Sequence, residues 1–216
     1  MNKKQIAAFI IKKLARRPAA VPEAVAEELR FVQDELKAAG VSLTSLQDLR
    51  QDPALWRKAI PTLAHCLSQV REKRVKEDLI DLLSVRFAKD AAPALIKEFH
   101  ACADPVLRWS VGSAIEFVAS EAVAEDLITL ASDMSLGTSR QMVVMALGKL
   151  TDKRAFQVAI SALSDGDVVL HALRALERMK KTEAIPYVQA LLSHPRAPVR
   201  RSAKRVLQRL AKVSAH

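Results

Sequence analysis

Four side chains with metal-binding chemistry, His65, Cys66, His100 and Cys102, stand out in this 216-residue chain. A metal needs them to converge. His100 and Cys102 are two residues apart, which on a helix turns them about 200° from one another. No Cys-x-x-Cys or His-x-x-x-His pair supplies an alternative ligand set. Small buried cysteines and surface histidines are the expected reading. Acid–base chemistry fares no better. Glu125 and Asp126 are adjacent, and acids are welcome at a helix N-terminus without any catalytic role. His171 stands among Val168, Leu170, Ala172 and Leu173 with no partner to make it a general base. There is no glycine-rich phosphate loop and no serine elbow. The expectation is a chain with no catalytic residue, no metal and no cofactor.

The densest run of one chemistry is cationic. Arg196, Arg200, Arg201, Lys204, Arg205, Arg209 and Lys212 form a C-terminal stripe able to neutralise phosphates. The net charge of +10 is uneven: Met1–Arg17 carries +6, Arg178–His216 carries +9, and Pro18–Glu177 is −5 by difference. Basic ends around a mildly acidic centre fit either solvated caps or two electrostatic contact zones. Nucleic acid is therefore kept as an alternative partner.

The elements that position these residues are visible as a repeat. Pro61, Pro93, Glu125, Gln157 and Pro186 occupy one slot, at steps of 32, 32, 32 and 29 residues. Two residues later stand Leu63, Leu95, Leu127, Ala159 and Val188. Two further columns are Leu79, Val111, Val143, Ala172, Ala203 and Leu83, Ile115, Leu147, Leu176, Leu207. Columns that agree over this many copies indicate an array of supersecondary units. Each unit reads as two short helices: a first helix carrying the Leu79/Leu83-type columns, and a second starting near the proline slot. Proline suits the first turn of a helix. Asp104, Thr138 and Asp167 are expected N-caps, and Gly137 and Gly166 mark turns. The shortened step is expected around Leu163–Asp167, where a tight turn replaces the longer Ser132–Ser139 connection.

Only five glycines occur in a chain that is half hydrophobic, which favours helix over sheet. Two cysteines make no disulfide framework, so a reducing, cytoplasmic setting is expected. No run approaches the roughly 18 apolar residues of a membrane span, and no integral membrane insertion is expected. Ile6–Ile11 is too short for a signal h-region of about 7–15 residues. An amphipathic terminal helix, or an interfacial anchor of the same pattern, fits Ile6, Phe9, Ile10 and Leu14. Residues 1–52 do not align with the columns and are read as a divergent helical cap, with helices near 3–16, 22–39 and 43–51. Residues 53–212 form the array, closed by a basic capping helix.

The columns, with Asp104-Pro-Val-Leu-Arg108, Arg140-Gln-Met-Val-Val-Met-Ala-Leu-Gly148 and Pro198-Val-Arg-Arg-Ser-Ala203, resemble the short-period HEAT-like repeats of bacterial α-solenoids, including phycobilin-lyase relatives. A basic residue near the start of the first helix is a feature of that family. Lys76, Arg108, Arg140 and Arg200 match it, and Val169 departs. The resemblance implies an all-α, right-handed HEAT-like α-solenoid of about five stacked helix pairs. HEAT-like alkylpurine DNA glycosylases share the outline, but such enzymes need aromatic residues to hold a distorted nucleotide, and this chain is 4% aromatic.

Function is then expected to be that of a monomeric, non-enzymatic scaffold that binds another protein. In arrays of this type the second helices usually line the inner curve. The exposed offsets on those helices give a candidate partner-binding ridge of His65, Lys97, Thr129, Ser161 and Tyr187. The alternative site is the basic stripe of Arg200, Arg201, Lys204, Arg205 and Arg209.

Overall fold

A computed structural model describes residues 21–213. Among them are eleven α-helices, eight short 3-10 turns and no strand. The expected amphipathic segment near residues 3–16 lies outside the described residues. The described residues open with α1 (Glu23–Ala38) and a 3-10 turn at Leu46–Gln51. Ten helices follow: α2 (Pro53–Leu67), α3 (Lys73–Leu83), α4 (Ala92–Ala101), α5 (Pro105–Val118), α6 (Ala124–Ser132), α7 (Gln141–Ala146), α8 (Lys153–Ser161), α9 (Val169–Met179), α10 (Ile185–Gln189) and α11 (Ala197–Val213). The even-numbered members are the second helices of the repeat, and the odd-numbered members from α3 onward are the first helices.

The three apolar columns are the core. All their residues have zero exposure except Leu207, which is half-buried. A residue sealed in every copy must face the same neighbour in every copy, and the packing has that form. First helices lie against one another in sequence: α3 on α5, α5 on α7, α7 on α9, α9 on α11. Among second helices, α2 packs on α4 and α6 on α8. Each second helix also packs on the first helix that follows it, from α2 with α3 through to α10 with α11. The short links between them, such as Cys102–Asp104, leave the chain little choice.

Helix starts differ from expectation in instructive ways. Asp104 caps α5, its carboxylate accepting the Val106 and Leu107 N–H groups at 2.8 and 3.2 Å. Thr138 and Asp167 do not cap: α7 follows Arg140 and α9 follows Val168, with no side-chain cap at either. The reason is the turn that precedes each helix. Asp133 caps the 3-10 turn Met134–Arg140 instead, and Asp165 accepts the Asp167 N–H at 2.9 Å. Pro93 and Pro186 lie in the first turns of α4 and α10, but Pro61 is inside α2. Asp52 starts that helix two turns early by accepting the Ala54 and Leu55 N–H groups. Three of the four later second helices have a 3-10 turn there, at Lys89–Ala91, Glu121–Val123 and Thr182–Ala184, whereas α8 starts at an Asp152 cap.

The N-terminal region is built into this frame. Val25, Val32 and Leu36 of α1 are buried, and α1 packs on α2 and α3. The Glu28 carboxylate accepts the Arg71 and Glu72 N–H groups at 2.8 and 2.9 Å, serving the start of α3 from another element.

Candidate binding surface

All five residues of the expected ridge are exposed, on α2, α4, α6, α8 and α10 in turn. Lys97, Thr129 and Tyr187 make no side-chain hydrogen bond or ion pair among the described residues; Ser161 Oγ donates to the Gln157 carbonyl at 3.1 Å. Ser161 also borders a cleft of about 280 Å³ with Ser132, Met134, Arg140, Val158 and Asp165. The guanidinium in that cleft is committed. Arg140 is 2% exposed, donates to the Ala131 carbonyl at 2.8 Å and pairs with Asp165.

The basic residues at the first-helix starts take different partners. Lys76 Nζ lies 2.5 Å from the buried Glu98. Arg140 reaches Asp165 through its terminal nitrogen, but its Nε, like that of Arg108, is buried without a hydrogen bond. Arg200, matched to them by sequence, turns back to the His194 and Pro195 carbonyls, both at 2.7 Å. The C-terminal stripe is likewise divided. Arg205 and Arg209 lean on Glu177 of α9, while Arg201 and Lys204 are exposed and have no partner among the described residues.

The surface that sequence reasoning missed lies on the first helices. Val106, Trp109 and Phe117 of α5 are 65%, 41% and 40% exposed. At 100° per residue the three fall within about 80° of arc, so they form one stripe. Met142 and Met145 are half-buried on α7, which packs beside α5. The Trp109 indole N–H donates to the Gln141 side-chain oxygen at 3.2 Å, and the Gln141 amide donates to the Asp167 carbonyl at 2.8 Å. That relay ties the starts of α5, α7 and α9 into one face. Trp56, by contrast, is a packing residue: its N–H reaches the Leu82 carbonyl at 3.0 Å, and its ring meets Phe87 edge-on at 5.4 Å. The i, i+3, i+11 spacing of Val106, Trp109 and Phe117 was the available signal.

No group of three or more His, Cys, Asp or Glu side chains capable of holding a metal occurs among the described residues. Both cysteines are free and buried. Burial, with Glu35 nearby, pushes the Cys66 thiol up to about 11, and burial also raises that of Cys102. Thiols so shifted stay protonated and weakly nucleophilic. No described helix is long and apolar enough to cross a membrane.

His171 is half-buried, with Nδ1 sealed and without a hydrogen bond. Burial lowers its pKa, and the nearby Arg174 acts in the same direction. A folded-state pKa below the unfolded value means the unfolded chain binds the proton better. Stability is full above the unfolded pKa of about 6.5 and falls as pH drops through it. The midpoint of thermal unfolding is therefore expected to fall on going from neutral to mildly acidic pH. A His171→Gln variant should lose less of it over the same range. Equal losses in the two proteins would remove His171 from the acid response.

A scan against protein-family models finds no match to this chain, and a search of curated proteins finds none either.

Proposed function

We propose that the chain is a non-enzymatic protein-binding scaffold, a right-handed HEAT-like array that acts as a monomer in the cytoplasm. The observation that carries this reading is the exposed Val106–Trp109–Phe117 stripe on α5, with Met142 and Met145 alongside. Aromatic side chains and methionine are enriched where proteins meet, and a few such anchors usually carry most of the binding energy. Trp109 is held by Gln141, so little rotamer freedom remains to be lost on docking. The partner face is then formed by α5 and α7, and the ridge of His65, Lys97, Thr129, Ser161 and Tyr187 is the competing position.

Affinity capture from the native host, read by mass spectrometry, tests this. A Trp109→Ala/Phe117→Asp variant is expected to lose a partner that wild type retains at near-stoichiometric amounts. A variant with Lys97, Thr129 and Tyr187 all changed to alanine is expected to keep it. Loss with the second variant alone would move the site to the ridge. Turnover of a substrate by the purified chain would overturn the scaffold reading.

A further inference from the structure

Two buried carboxylates gather five cations on the C-terminal ends of the first helices. Glu116, in the last turn of α5, is 8% exposed. Its Oε1 lies 2.5 Å from Arg178 of α9 and 3.3 Å from Lys149, which follows α7. Lys149 also donates to the backbone carbonyls of Glu116 and Phe117. Glu177, in α9, is 5% exposed and faces Arg174 at 3.4 Å, Arg205 at 3.5 Å and Arg209 at 3.1 Å. One continuous strip thus crosses α5, α7, α9 and α11.

Neutralising two carboxylates requires two cations, and five are present, leaving an excess of three. The four arginines remain 42–65% exposed. Arg205 and Arg209 approach Glu177 through Nε, on the inner edge of the guanidinium. Both terminal amino groups of Arg209 are left without a partner among the described residues. The strip continues outward along α11, where Arg201 stands four and eight residues before Arg205 and Arg209, beside Lys204. No acid occurs anywhere from residue 184 to 213.

We propose that this strip binds the phosphodiester backbone of nucleic acid without reading its sequence. Guanidinium forks match phosphate oxygens. A row of cations this long, its two acids buried beneath it, is matched by the evenly spaced charges of a duplex backbone rather than by the scattered carboxylates of a protein surface. The strip offers charges alone, so it positions a backbone and specifies no base. Burial pushes the Lys149 ammonium down while Glu116 holds it up; its two carbonyl contacts make it a brace for the strip. The inference is independent of the protein-binding reading, because it uses different residues.

Fluorescence anisotropy with a labelled random-sequence duplex of about 20 base pairs, at several salt concentrations, is the test. Wild type is expected to bind at low salt, with log affinity falling against log salt at a slope of about −4, for four or five phosphates. Arg178→Gln/Arg209→Gln should weaken binding at least tenfold and reduce the slope by about 2; it leaves Lys149 on Glu116, and Arg174 and Arg205 on Glu177. Arg201→Gln/Lys204→Gln removes the same charge without touching an internal ion pair, and should weaken binding comparably while melting as wild type does. Lys97→Gln/Lys153→Gln, an equal charge change on the second helices, should leave binding near wild type. Three results would overturn the proposal: no binding at low salt, an equal loss in the second-helix variant, or displacement of the duplex by poly-glutamate as effectively, charge for charge, as by unlabelled duplex. The last would assign the strip to an acidic protein.

Discussion

Replacing Gly148 with valine is expected to lower stability by about 3 kcal/mol, the upper end of what overpacking a tight contact costs. Gly148 follows α7 in a 3-10 turn, where α7 and α9 cross. A Cβ there would stand 2.7 Å from the Ala175 carbonyl oxygen, 2.8 Å from its Cα and 3.1 Å from the Arg178 Cβ. The first two are backbone atoms of α9, so relief requires the helix itself to move. Alanine already carries that Cβ, and its better helix propensity, worth about 1 kcal/mol, offsets only part of the clash. Thermal unfolding followed by circular dichroism should show a midpoint lowered by roughly 6–12 °C for valine, at about 2–4 °C per kcal/mol in a chain of this size. A change within a degree would mean that the two helices are not in this register. The same displacement moves Arg174 and Arg178, so Gly148→Val should also weaken duplex binding.

Arg140→Met is expected to cost about 3 kcal/mol, and a second substitution, Asp165→Leu, to recover part of that loss. Arg140 is 2% exposed and its Asp165 partner 15%. Removing one member of a buried pair strands the other charge, typically at 3–5 kcal/mol, whereas replacing both by apolar groups is often neutral. The Ala131 carbonyl, which accepts from Arg140 at 2.8 Å, stays without that donor in either variant, so full recovery is not expected. Chemical denaturation of the two single variants and the double variant gives the coupling directly. Simple addition of the two single losses would show that the pair contributes no interaction of its own.

The helical frame was legible because its physical cause repeats. A column such as Leu79, Val111, Val143 and Ala172 is sealed in every copy, and sealing constrains residue type wherever it recurs. The shortened connection was legible for the same reason: the columns on either side stay in phase around Leu163–Asp167, where the short turn Gly166–Val168 after Asp165 takes the place of the seven-residue Met134–Arg140 after Asp133. Helix starts were less legible. Thr138 and Asp167 have cap-forming side chains, but the 3-10 turn after Asp133 and the short turn after Asp165 hold the preceding backbone instead.

Surface chemistry was hidden by sequence distance. Glu116 meets cations 33 and 62 residues away, and Glu98 meets one 22 residues back. Nothing local marks these glutamates as buried, since a charge is buried only when a distant helix brings its partner. Gly148 looked like one more helix-end glycine, and its role depends on the backbone of another helix. Trp109 and Phe117 are ambiguous because an aromatic residue in an amphipathic helix is more often core than surface. The five ridge residues face solvent, yet exposure alone does not distinguish a docking site from any other wet helix face.

The protein-binding reading is tested most directly by calorimetry with the partner recovered by capture and then purified. Wild type should bind it at one to one, with a negative heat-capacity change from buried apolar surface. The Trp109→Ala/Phe117→Asp variant should bind at least a hundredfold more weakly, as loss of about 3 kcal/mol at two anchor residues requires. The Lys97, Thr129 and Tyr187 triple-alanine variant should match wild type. Unchanged affinity in the Trp109→Ala/Phe117→Asp protein, with its melting midpoint intact, would contradict the assignment of the partner site to the α5–α7 face.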